Sequence, residues 1–201
     1  MKNKIMLDLD GVVANFAYSF QKFLNENYGC SFNPLKDPTK YSFENWGHGV
    51  DKIDLDAASS AWMNNNGFSG LPSYTGAEEF VTNLMDNYDV YIVTARVGDW
   101  DQKLSKTTKD IIKKNTYDWL QDRGIPANRL YFAHDKIPFC KEHQISVIVE
   151  DKLETALKAA KEGIHTVLID RGYNQSKSER LRVYRVYNFN EALSQLKKLI
   201  Q

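Results

Sequence analysis

Five short runs, at residues 4–9, 89–94, 129–133, 146–150 and 165–169, are almost continuously apolar and are each bounded by polar or turn residues. A strand with one wet face alternates apolar and polar side chains. A run without alternation is covered on both faces, as in a parallel sheet between two layers of helices. Helical patterns separate the later runs, at 76–87, at 102–123 closed by Gly124 and Pro126, and at 152–162 closed by Gly163. A last helix is expected at 191–199, with Asn190 as its N-cap. Strand and helix in this alternation predict an α/β fold, a doubly wound parallel sheet with right-handed crossovers.

Residues 16–75 break the rhythm. They offer amphipathic patterns at 16–28 and 54–65, a segment rich in Pro, Gly and aromatic residues between them, and a hinge-like return through Gly70, Pro72 and Gly76. The stretch is too long for an ordinary connection, so it reads as a small helical cap inserted after the first strand. The expected division is a core of 1–15 and 76–201 and a cap of 16–75. Ligands of open α/β sheets bind beyond the carboxyl ends of the strands, which is where a cap leaving the first strand must sit.

With 201 residues, 42% of them hydrophobic, the chain can bury a core of its own. Lys plus Arg and Asp plus Glu both number 26, so no global field recruits nucleic acid or an acidic membrane. The apolar run behind Met1 meets Asp8 too early for a signal peptide, and no run spans a bilayer. Cys30 and Cys140 are far apart and outside any CxxC spacing, which suits reduced thiols. A cytoplasmic protein is expected. Nothing in the sequence sets its oligomeric state.

The chemistry concentrates at strand ends. Asp8 and Asp10, in the run Asp8-Leu9-Asp10-Gly11-Val12, are two positions apart, so an extended chain would project both carboxylates to one side just before Gly11 turns. Two negative charges in one small volume call for a cation with oxygen ligands, of which Mg²⁺ fits best. An EF-hand is a poorer alternative because Gly11 and Val12 fall where that loop needs other residues, and no GxGxxG or GxxxxGK[ST] loop exists. Thr94, Ala95 and Arg96 end the second strand with a hydroxyl and free amides, His134, Asp135 and Lys136 follow the third, and Glu150 and Asp151 end the fourth. Singly, each is an ordinary cap or surface charge. Together they deliver acidic, hydroxyl and basic groups to one sheet edge.

These motifs, in this order and each after an apolar strand, resemble the haloacid dehalogenase (HAD) superfamily of phosphohydrolases. The opening DLDGVVANF from Asp8 to Phe16, with Thr94-Ala95-Arg96 and Asp135-Lys136, is similar to the 5'(3')-deoxyribonucleotidases. The resemblance implies that Asp8 is the nucleophile of an aspartyl-phosphate mechanism and Asp10 the general acid and base. It implies that Thr94, the Ala95 amide and Lys136 bind the phosphate, and that Mg²⁺ is held by Asp8, the carbonyl of Asp10 and Asp151. Glu150, where the family pattern has an aspartate, is given a supporting role through water. Lys141 competes with Lys136 for the lysine role, and Lys136 is preferred as nearer the strand.

Aromatic residues crowd the cap. Phe16, just past the catalytic loop, is the expected base contact; Tyr41, Phe43 and Trp46 form a second group, and Arg96 completes the substrate-binding set. The implied reaction is Mg²⁺-dependent hydrolysis of a nucleoside monophosphate. The alternatives are a phosphatase for another small phosphoester or a nucleic-acid 3'-phosphate, and a phospholigand-binding protein without turnover. The neutral charge balance argues against a nucleic-acid partner. The basic stretch 170–185, with Arg171, Lys177, Arg180, Arg182 and Arg185, is expected to be a solvated loop, with a phosphate-facing patch as the second account.

Overall fold

The computed structural model describes residues 2–97, 104–175 and 181–200. Their strands are β1 (Lys4–Leu7), β2 (Asp89–Thr94), β3 (Leu130–Phe132), β4 (Val147–Glu150), β5 (His165–Ile169) and β6 (Val183–Val186). Their α-helices are α1 (Phe16–Tyr28), α2 (Leu55–Asn64), α3 (Ala77–Asn87), α4 (Lys106–Asp122), α5 (Lys136–Glu142), α6 (Leu153–Lys161) and α7 (Phe189–Leu199). The strands form one parallel sheet in the order β3-β2-β1-β4-β5-β6. The chain winds outward from β1 in one direction and from β4 in the other, which confirms the doubly wound α/β fold.

Both faces of the sheet's centre are dry, which is why β1, β2, β4 and β5 read as unbroken apolar runs. Ile5, Leu7, Ile92, Val147 and Val149 join one buried cluster with Phe80 and Leu84 of α3, Ile112 and Trp119 of α4, and Leu196 of α7. Met6, Tyr91, Val93 and Ile148, on the alternate positions, join another with Ile137 and Cys140 of α5 and Ala159 of α6. Trp119 is fully buried, and its indole nitrogen donates to the Leu71 carbonyl at 2.7 Å, so its apolar burial carries no unpaired donor.

Residues 16–75 contain α1 and α2 and no strand of the sheet. The Asn15 and Asp54 side chains accept from backbone amides to start the two helices, and Gly29, at φ 69°, ends the first. Phe20, Leu24 and Trp62 from this segment belong to the same buried cluster as Leu7 and Trp119, so one apolar core runs through both parts of the chain.

The expected elements differ from the structure at several ends. β1 stops at Leu7, because the amides of Val12, Val13 and Ala14 all turn back to the Leu9 carbonyl. α4 begins at Lys106 with Ser105 as its cap; the expected start at Gln102 lies outside the described residues. Asn188, not Asn190, caps α7 by accepting from the Glu191 amide at 2.9 Å. The supposed solvated stretch 170–185 runs into β6, an edge strand paired with β5. Cys30 and Cys140 are free and buried. Among the described residues no helix is long and apolar enough to cross a membrane.

Candidate active site

β1 and β4 are neighbours from which the chain departs in opposite directions, so a crevice opens at their carboxyl ends. The ladder pairs Leu7 with Val149, and the Asp8 amide extends it by donating to the Val149 carbonyl at 3.1 Å. Asp8 therefore arrives beside Glu150 and Asp151 by backbone register alone. Lys136 comes from the next crossover. Asp135 caps α5 by accepting from the Ile137 amide, which places Lys136 on the first turn and buries its side chain.

The Lys136 ammonium lies 2.7 Å from Asp8 Oδ2 and 2.9 Å from Glu150 Oε2. Glu150 Oε1 accepts from the Lys152 amide at 3.2 Å. Asp8, Glu150 and Asp151 are all buried, and each offers a carboxylate oxygen within 4.8 Å of the others. Three carboxylates face one ammonium, an imbalance visible in their proton affinities. Burial, reinforced by the charge of Glu150 and opposed by Lys136, pushes Asp8 up to about 7. Burial and the charge of Asp8 push Asp151 up to about 7 as well. Glu150 is raised by burial despite its lysine. Burial alone would lower the Lys136 ammonium, but Asp8 and Glu150 outweigh it and hold the group above the ordinary lysine value.

Two uncompensated negative charges on hard oxygen donors, enclosed in protein, suit a divalent cation. Tyr74, whose hydroxyl is buried without a protein partner, also lines this crevice.

Asp10 does not join this cluster. Because β1 ends at Leu7, the two-residue spacing no longer aims both carboxylates at one point. Both oxygens of Asp10 instead accept from the fork of Arg96, each at 2.8 Å. Arg96, expected to hold substrate, is buried with its guanidinium occupied. Its third bond goes to the Thr116 hydroxyl at 3.2 Å, and the cation lies 4.6 Å from the Phe68 ring centroid. Thr94 is likewise fully buried, its hydroxyl 3.4 Å from the Arg96 amide rather than offered at the sheet edge. Ala95 lines the crevice. Lys141 points away to an exposed pairing with Glu162.

The acidic end opens into a cavity of about 350 Å³ whose remaining wall is largely aromatic, with Phe16, Tyr41, Phe43, Trp46, Trp62 and Phe68 on it. Phe16 stacks on Phe43, with centroids 5.6 Å apart, and meets Trp62 edge-on at 5.1 Å. Trp46 is mostly core, with its indole nitrogen on the Lys40 carbonyl. Tyr41 is half exposed at the mouth.

Residues missed from the sequence lie after β5. Arg171 Nε donates to the Gly11 carbonyl at 2.7 Å, the Tyr173 hydroxyl donates to Asp151 Oδ2, and Asn174 donates to the Asp151 carbonyl at 2.7 Å. Arg185 is tied to Asp170 and Asn174, so these arginines are structural rather than solvated; Lys177 and Arg180 lie outside the described residues.

Comparison with known proteins agrees with this arrangement. A nucleotidase of Clostridium acetobutylicum is 24% identical over 201 residues, covering 98% of this chain and 95% of the relative. Among solved structures, a HAD family hydrolase from Deinococcus radiodurans, with bound phosphate and sodium, matches at a TM-score of 0.61 and 15% identity, over 98% of this chain and 96% of that one. A Bacillus subtilis protein of the HAD-hydrolase type, bound to magnesium, matches at 0.57 and 16% identity, over 97% and 98%. The profile of the family described as 5' nucleotidase, deoxy (pyrimidine), cytosolic type C, matches residues 2–199. The sheet order, the acidic crevice with its lysine and this nearly full-length match lead to one assignment: the chain belongs to that nucleotidase family, on the fold that the HAD hydrolases share.

Proposed function

We propose that this nucleotidase hydrolyses nucleoside monophosphates, deoxynucleotides among them, through a phosphoryl group carried on Asp8 and with Mg²⁺ as cofactor. The observation that carries the proposal is the contact of Asp8 with Lys136, in a buried carboxylate cluster at the foot of an aromatic-walled cavity. Asp8, Asp151 and the carbonyl of Asp10 would hold the cation, with Glu150 in support. Bound there, Mg²⁺ would neutralise the carboxylates and draw charge from the phosphoryl oxygens.

Asp8 attacks phosphorus, and the bond from phosphorus to the ester oxygen breaks. Asp10, protonated on an oxygen freed from Arg96, gives that proton to the leaving oxygen, then takes one from the water that cleaves the aspartyl phosphate and frees inorganic phosphate. To do so Asp10 must give up one of its two bonds to Arg96, which makes Arg96 the group that orients it. Lys136 and the Ala95 amide hold the phosphoryl oxygens as charge builds. Thr94, buried beneath, shapes the turn that presents the amide. We take 16–75 as a cap on a core of 1–15 and 76–201; its rings, Phe16 and Phe43 foremost with Tyr41 at the mouth, offer flat surface to a nucleobase. The two free buried thiols suit a reducing cytoplasm.

The test is phosphate release from a panel of 5' and 3' ribo- and deoxyribonucleotides and sugar phosphates, with Mg²⁺ and with chelator. Turnover of nucleotides that stops with chelator and in Asp8→Asn supports the reading. Preference for sugar phosphates would redirect the substrate class, and binding without any turnover would replace the enzyme by a phospholigand carrier.

A further inference from the structure

The 170–175 loop touches the acidic cluster on one side and the cap on the other. Toward the cluster, the Tyr173 hydroxyl donates to Asp151 Oδ2. Asn174 Nδ2 donates to the carbonyls of Asp151 and Ile169 at 2.7 and 2.8 Å, and its Oδ1 accepts from the Arg171 amide and from Arg185. The loop is thus braced against its own strand while it grips Asp151. Toward the cap, the Gly172 amide donates to Asp37 Oδ2 at 3.3 Å, and Tyr41 meets Tyr173 edge-on with centroids 5.6 Å apart. The Lys152 ammonium lies 4.5 Å from the Tyr41 ring centroid on the same side. The fit at Gly172 is close: a Cβ there would stand 2.8 Å from the Pro38 carbonyl oxygen.

We propose that Tyr173 is a positioning residue for the cation-binding carboxylate of Asp151, and that the 37–41 segment of the cap, seated on Gly172 and Tyr173, holds it in place. A carboxylate with one oxygen fixed by a hydroxyl presents the other in a set direction. Such outer partners of metal ligands commonly govern affinity. The inference rests on the cation site proposed above, and it gives the cap a task beyond contacting substrate, that of steadying a ligand in the core.

The experiment is titration calorimetry of Mg²⁺ into the full chain, with phosphate release measured in parallel over a range of Mg²⁺. Tyr173→Phe keeps the ring and removes only the donor. It is expected to weaken Mg²⁺ binding about 10- to 100-fold while saturating Mg²⁺ recovers most of kcat. Gly172→Ala leaves every cluster side chain intact and requires no left-handed backbone, yet its methyl displaces Pro38; a smaller loss of affinity in the same direction is expected. Wild-type affinity in Tyr173→Phe overturns the proposal, as does lost activity that Mg²⁺ does not restore. Wild-type affinity in Gly172→Ala overturns the part given to the cap. If the wild-type protein itself binds no Mg²⁺, the underlying reading fails and this inference falls with it.

Discussion

Lys136→Met keeps the length of the buried stem and removes the ammonium. In the native site that group serves Asp8 at 2.7 Å and Glu150 at 2.9 Å, with side-chain exposures of 4% for the lysine, 9% for the aspartate and 1% for the glutamate. Removing one partner from a buried ion pair costs about 3 to 5 kcal/mol, and two carboxylates lose the same partner here, so the upper part of that range applies. A domain stabilised by about 5 to 15 kcal/mol still folds. The cost must depend on pH. Asp8 and Asp151, raised from 3.8 to about 7, bind protons more tightly folded than unfolded, so their contribution to stability is fully present below 3.8 and is lost as pH rises through about 7. Without Lys136 the neighbouring carboxylates rise further, and the window of loss moves upward. Urea unfolding of the metal-free protein should therefore separate variant from wild type little at about pH 5 and by about 4 kcal/mol at about pH 8.5. Phosphate release under saturating Mg²⁺ should fall by about 10²- to 10³-fold, the usual loss on removing one group that holds transition-state charge. A stability gap that stays flat or narrows with rising pH would refute the electrostatic reasoning.

Asp8→Asn should abolish turnover in a protein that, free of metal at about pH 8, melts no lower than wild type, since it removes a charge that burial disfavours; scanning calorimetry decides this. Mg²⁺ affinity should rise with pH through about 7, because the cation takes the ionised forms of Asp8 and Asp151, and binding should release protons. Calorimetry in two buffers of different ionisation enthalpy measures that release, and pH-independent affinity would contradict it. Gly11→Ala should destabilise the fold by about 1 to 3 kcal/mol and erase the response to Mg²⁺, because φ there is +81° and the added Cβ would meet the Asp151 carboxylate and the Tyr173 hydroxyl.

The parts of the site readable in the sequence share one property: each ends or closely follows an apolar strand of the sheet. Asp8, Thr94 and the pair Glu150-Asp151 could be placed at one edge because apolar runs without alternation identify the strands, and parallel winding brings their ends together. Lys136 was reachable for the same reason. β6 was hidden because Val183-Tyr184-Arg185-Val186 is a short edge strand with a charge in it, and only Val186 is buried. Asn188 does have a local signal, Glu191 three positions on, whose amide donates to the Asn188 side chain and whose carboxylate accepts from Asn188 Nδ2 and from the Tyr187 amide. The grip of Arg96 on Asp10 and the contacts of Arg171 and Tyr173 carry no local signature. They join positions 86, 160 and 22 residues apart, and only the folded sheet brings such groups together.

The apolar core that passes without a break from Leu7 and Trp119 to Phe20 and Trp62 also limits how substrate can enter. Swinging the inserted helices outward as a hinged door would wet several large rings at about 2 kcal/mol each. Traffic is far cheaper at the rim just beyond Tyr41, where Ser42 and Glu44 are exposed and border the cavity. Nucleotide exchange should therefore proceed by breathing of that short porch, while the helices behind it melt only when the whole chain does.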